Sequence, residues 1–94
     1  MSGNDWSRNL SRVIATRDGR RLLTLGDASA YVLALPHEVQ ARSYWHKAAM
    51  LLMDAATGGD IRAATDHIVL ALLLDGQLDA ENTEVPGRSS DVDV

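Results

Sequence analysis

Residues 36–75 carry two stretches of periodic apolar side chains joined by Thr57-Gly58-Gly59, and no other feature narrows the available folds as much. Apolar residues recurring at spacings of three and four mark one face of a helix. On the first stretch Ala41, Tyr44, Trp45, Ala48, Leu51, Leu52 and Ala55 share such a face. This helix is predicted to begin with Pro36 or His37 in its first turn and to run to about Ala56. Glu38 there suits the positive end of the helix dipole. On the second stretch Ile61, Ala64, Ile68, Ala71 and Leu72 form the apolar face. Asp60 is its expected N-cap, and Gly76 follows its end at about Asp75 as a left-handed terminator. A tight glycine turn between two such helices makes them antiparallel.

Both helices carry a second apolar set. Val39, His46, Met50 and Met53 lie opposite the core stripe of the first, at spacings of seven, four and three. Leu70, Leu73 and Leu74 point away from the core face of the other. Pairing about a turn near residue 58 brings His46 level with Leu70 and Met50 level with Asp66, so the two sets are expected to merge into one surface. Large apolar patches seldom stay bare on soluble monomers. The cover is either the N-terminal part of the same chain or a second copy in a symmetric interface. The chain has two Trp, two Tyr and no Phe. Small domains so poor in large side chains gain stability by pairing. The homodimer is therefore the preferred reading, with Val39, His46, Met50, Met53, Leu70, Leu73 and Leu74 as interface residues.

Upstream, Val13-Ile14-Ala15-Thr16 is β-branched and compact, and Arg17-Asp18-Gly19-Arg20 follows. Asp-Gly favours a tight turn, because both residues accept positive φ. Residues 12–24 are predicted to form a β-hairpin. The competing reading is an amphipathic helix through Trp6, Leu10, Val13 and Ile14, so residues 6–16 stand open between helix and strand. Thr24-Leu25-Gly26-Asp27 matches a capping box, and a helix follows to about Leu35. Ala28, Tyr31, Val32 and Leu35 share its inner face, and Pro36 ends it. The expected fold class is mainly α (α+β), a short N-terminal β-hairpin followed by three helices, the last two an antiparallel helical hairpin. Residues 1–11 are expected to be a flexible segment, 12–78 a single domain and 79–94 a disordered acidic tail.

Composition bounds the function. Ninety-four residues fit one domain. The absence of cysteine excludes disulfides, thiolate zinc sites and a cysteine nucleophile, and fits a reducing compartment. The polar start Met1–Leu10 lacks the apolar run of a secretion signal. The longest apolar run, Ile68–Leu74, is seven residues, against about twenty for a membrane span. A cytoplasmic, non-membrane protein is expected. Net charge is -4, which argues against nucleic-acid binding by the whole chain. Residues 1–22 nevertheless hold five arginines against two acids, while residues 23–94 hold four basic against eleven acidic side chains. A solvated basic hairpin is the plainer account. The alternative is a regulatory protein that touches nucleic acid through Arg12, Arg17, Arg20 and Arg21.

Motifs for chemistry are sparse. His37, His46 and His67 contain no pair four residues apart, and zinc needs at least three well-placed ligands. His46 is expected to be partly buried at an interface that its protonation would weaken, and His37 and His67 exposed. No serine lies in a Gly-x-Ser-x-Gly elbow. Gly58-Gly59 lacks the rest of a phosphate cradle and is read as a plain turn, with Asp54 and Asp60 as solvated caps. Tyr44 and Trp45, at core spacing, are read as core rather than as a stacking platform. No catalytic residue, metal ligand or cofactor is assigned.

Several of these elements together form a recognisable pattern. The run Val13 to Leu25 leads into Asp27-Ala28-x-x-Tyr31-Val32, then Leu35-Pro36, Trp45-x-x-Ala48, and a last helix with Ala64 and Ala71. Over residues 6–78 this resembles small uncharacterised domains of alpha-proteobacteria, built as a hairpin followed by three helices. That family has no assigned activity, so the resemblance implies a bacterial origin and a fold but no catalytic residue. The expected function is a non-enzymatic interaction or assembly module acting as a homodimer, its other partners unknown.

Overall fold

A computed structural model describes residues 5–83. Its elements are β1 (Asn9–Ala15), β2 (Arg21–Thr24), α1 (Leu25–Leu33), α2 (His37–Gln40), α3 (Ser43–Ala56) and α4 (Ile61–Leu74). The fold is α+β and mainly helical, a two-stranded antiparallel hairpin followed by helices.

The choice between helix and strand over residues 6–16 falls to strand from Asn9 onward. Leu10 and Ile14 both face the core. Their spacing of four satisfies a period of two as well as one of 3.6, so the pattern alone could not decide. The strand begins three residues before the expected hairpin and inside the segment expected to be flexible. Ile14 pairs with Leu22 and Ala15 with Arg21, and the register shifts between Asn9 and Ile14. The turn closes through Gly19, whose φ is +90°.

The capping box forms as expected. Thr24 Oγ1 accepts from the Asp27 N–H at 3.1 Å, and the Asp27 carboxylate accepts from the Thr24 N–H at 3.2 Å and the Leu23 N–H at 2.9 Å. The last bond also occupies a donor near the end of β2. α1 stops at Leu33, two residues short of expectation. The long helix predicted from residue 37 is two elements. α2 is a single turn, Arg42 is extended at ψ 142°, and α3 begins at Ser43. No proline or glycine marks this break. At the break Arg42 reaches across to Asp75 at 2.7 Å. The described residues therefore form four helices where three were expected.

α3 and α4 turn at Gly58, with φ +102°, and pack side by side as an antiparallel pair. Gly59 sits so close to the preceding turn that a Cβ there would lie 2.8 Å from the Asp54 carbonyl oxygen. Arg8 caps the end of α3 by donating to the Ala55 carbonyl at 2.7 Å. Asp60 caps α4, accepting from the Arg62 and Ala63 N–H groups at 3.0 and 3.2 Å. Gly76 (φ +70°) ends α4 in a Schellman motif, with Gln77 N–H on Leu72 O and Gly76 N–H on Leu73 O.

β1 lies on α4, β2 on α1, and α1 on α3. Trp45, Ile14, Leu25, Leu52, Ile68 and Leu72 fill the core. Residues 79–83 overturn the expectation of a disordered tail starting at Asp79. Leu78 bridges Thr16, the Asp79 N–H donates to Ala15 O at 3.0 Å, and Thr83 Oγ1 accepts from the Ala15 N–H at 2.8 Å. The open edge of β1 leaves backbone groups to satisfy, and this strap satisfies those at its end, at Ala15. The tail from residue 84 and the first four residues lie outside the described residues.

Thr65 is a buried tie between layers. Its hydroxyl accepts from the Ser11 N–H at 3.0 Å and donates to Ile61 O at 2.8 Å. Thr65→Val keeps the shape and strands the Ser11 donor. Urea unfolding should show a loss of about 1–3 kcal/mol, whereas Thr57→Val, at the exposed end of α3, should change stability by less than about 0.5 kcal/mol.

Candidate functional site

The inward residues of the helices are consumed by the core, which leaves a distinct outward set. On α3, Met50 is 57% and Met53 62% exposed, and His46 is exposed beside them. On α4, Leu70, Leu73 and Leu74 are 43%, 60% and 57% exposed. Six of the seven nominated interface residues thus lie on the surface. Val39 does not belong with them. It sits on α2, half-buried against the core, because the helical wheel that aligned it with His46 is interrupted at Ala41–Arg42.

Leu33 was missed. At 72% it is the most exposed of the large apolar residues. A wheel drawn on α1 would have found it, since it lies off the Leu25–Ala28–Tyr31–Val32 face. With Met53, Trp6, Val32, Ala49 and Leu52 it lines an apolar groove of about 110 Å³. Met53 therefore faces α1, and α1 packs on α3 while α4 packs on α3 and β1. The outward leucines of α4 belong to a different flank of the helix pair from the groove.

One end of this surface is held by Asp75. Its carboxylate accepts from the Trp45 indole N–H at 2.7 Å, from the Tyr44 hydroxyl, and from Arg42 at 2.7 Å. Burial pushes this carboxyl up, but the hydrogen bonds from Tyr44, Trp45 and Arg42 together outweigh it and hold Asp75 below the usual carboxylate range. Tyr31 packs on Trp45 with ring centroids 6.1 Å apart, and Arg20 lies over Tyr31 at 5.8 Å. Burial, with Asp18 and Asp75 nearby, raises the Tyr31 phenol above its ordinary value.

Two of the four arginines of the nucleic-acid alternative are held in ion pairs. Arg12 is only 9% exposed at its side chain and pairs with Asp66 at 2.6 Å. Arg20 pairs with Asp18 at 3.4 Å. Arg17 lines a shallow cleft with Asp79 and Glu81. Arg21 is exposed. The hairpin therefore presents interleaved charges rather than a basic face.

His37 is exposed as expected, while the other two histidines differ from expectation. His46 is exposed, while His67 is half-buried, and its Nε2 is shielded from solvent with no hydrogen-bond partner. His67 shares a helix face with Ala64 and Ala71, both fully buried, which draws it inward. Among the described residues no group of three or more His, Asp or Glu side chains is placed to hold a metal ion, and no helix is long and apolar enough to cross a membrane.

Comparison with known proteins returned no matching family model, no matching curated protein and no matching solved structure.

The Asp75 cluster sets an acid limit on stability. A carboxyl held low when folded contributes stability that is complete above the ordinary carboxylate range and is lost as pH falls through its folded value. Urea midpoints should fall from pH 5 toward pH 3. Asp75→Asn should cost about 2 kcal/mol near neutrality and flatten that acid dependence.

Proposed function

We propose that this chain is a non-enzymatic protein–protein interaction module that works as a homodimer. The observation that carries the reading is the set of large apolar side chains directed outward from three helices: Leu33, Met50, Met53, Leu70, Leu73 and Leu74. None of them strengthens the protomer much, since each is two-fifths or more exposed. Fully burying such a side chain is worth about 1.5–3 kcal/mol, so completing a half-finished burial is worth about 1 kcal/mol. Two copies meeting through one flank, with Leu33, Met50 and Met53 buried on each, would recover about 6 kcal/mol. Association costs about 4–15 kcal/mol in lost freedom. These magnitudes favour a reversible dimer over a permanent one.

In this reading the protein belongs to a bacterial cytoplasm. The cysteine-free composition supports a reducing compartment. No cofactor is required, and the engaged arginines of the hairpin argue against nucleic acid as the principal partner.

Sedimentation equilibrium at micromolar concentration tests the reading. A mass of two chains is expected, and a single chain across the range would sink it. Changing Met50 and Leu73 together to Glu places charge on both outward flanks. That double variant should be a soluble monomer with unchanged helix content, read by sedimentation and circular dichroism.

A further inference from the structure

Resting on the homodimer reading, we infer that a second copy docks through α3, antiparallel to it, about a twofold axis passing beside Met50. Lys47 and Asp54 carry the argument. They are seven residues apart, two helical turns, and therefore lie along one line of the exposed face of α3. Met50 lies between them on that face. Both are exposed, and neither forms an ion pair among the described residues.

A twofold axis perpendicular to α3 maps the N-terminal half of the exposed face onto the C-terminal half of its partner. Lys47 then meets Asp54 of the second copy, and Asp54 meets the second copy's Lys47. Met50 packs near the axis. His46 and Met53, also seven apart, face one another across the seam. The charge pattern is thus complementary to its own reverse. A parallel pairing sets lysine against lysine and aspartate against aspartate, which repel. The outward face of α4 carries Arg62 and Asp66, but no free pair of opposite charges. Its Asp66 is already taken by Arg12, and its three leucines carry no charge to set a register. The apolar groove beside Met53 and Leu33 continues the same flank, so both residues come under the partner's edge.

The experiment is a charge swap read by sedimentation on the full chain. Lys47→Glu and Asp54→Lys singly turn both symmetric pairs into like-charge contacts, and each should weaken dimerisation by about tenfold or more. Combining them restores the pairing with inverted sign and should return the dissociation constant to within about threefold of the parent. Because the chain has no cysteine, Met50→Cys introduces one thiol, and mild oxidation should give a disulfide-linked dimer. Leu73→Cys on α4 should not. A dimer indifferent to both reversals but dissociated by Leu73→Glu would overturn the α3 seam and leave the homodimer reading standing. A parent chain that stays monomeric would overturn both. Circular dichroism of each variant confirms that the exposed substitutions leave the fold intact.

Discussion

Asp75 holds a carboxylate at the end of α4, where the helix dipole is negative and a second negative charge is unwelcome. It is 9% exposed at its side chain and survives there because three donors converge on it. All three come from residues 42–45, where α3 begins. One charged group therefore fixes the start of α3 against the end of α4. Leaving such a charge buried without partners would cost several kcal/mol, so the register of the pair is strongly specified. Trp45 is the pivot. Its indole N–H is spent on Asp75, and its ring carries Tyr31 and with it α1. Arg20 over Tyr31 extends the same chain of contacts to the hairpin turn.

The opposite end of the helix pair is tied by different means. Arg8 caps α3, the Asp5 N–H donates to Ala56 O at 2.7 Å, and Gly59 allows the chain to pass close to Asp54. The strap after Gly76 closes the end of the free edge of β1, at Ala15. With both ends pinned, the outward faces of α1, α3 and α4 are displayed on a firm scaffold. Their apolar side chains are surplus to the protomer, and that surplus is the basis for reading the chain as an assembly module.

Much of this was readable in the residues. The Thr24–Asp27 capping box, the glycine turn at residue 58, the Asp60 cap and the terminator at Gly76 each depend on neighbours in sequence, and each formed as expected. The core faces of α3 and α4 followed from spacing, except for Ala41, which is exposed and lies before α3. The outward residues of these helices were legible by the same wheel, because orientation on a continuous helix is set by count. Val39 failed this test because the count was carried across a break that no local residue announces. Leu33 lies on the outer side of α1, off the face that the core spacing marks.

The sequence by itself determined the elements whose causes are local: caps, turn glycines and helix periodicity. Only the tertiary structure decided what depends on residues far apart. Arg42 reaches a carboxylate thirty-three positions away. His67 turns inward between two alanines, Arg12 is claimed by Asp66, and residues 78–83 return to cover the end of β1. His67 is drawn in by the buried face it shares with Ala64 and Ala71, and the other three have one physical reason. A buried charge or an open strand edge must find a partner, and which residue supplies it is settled by proximity in space.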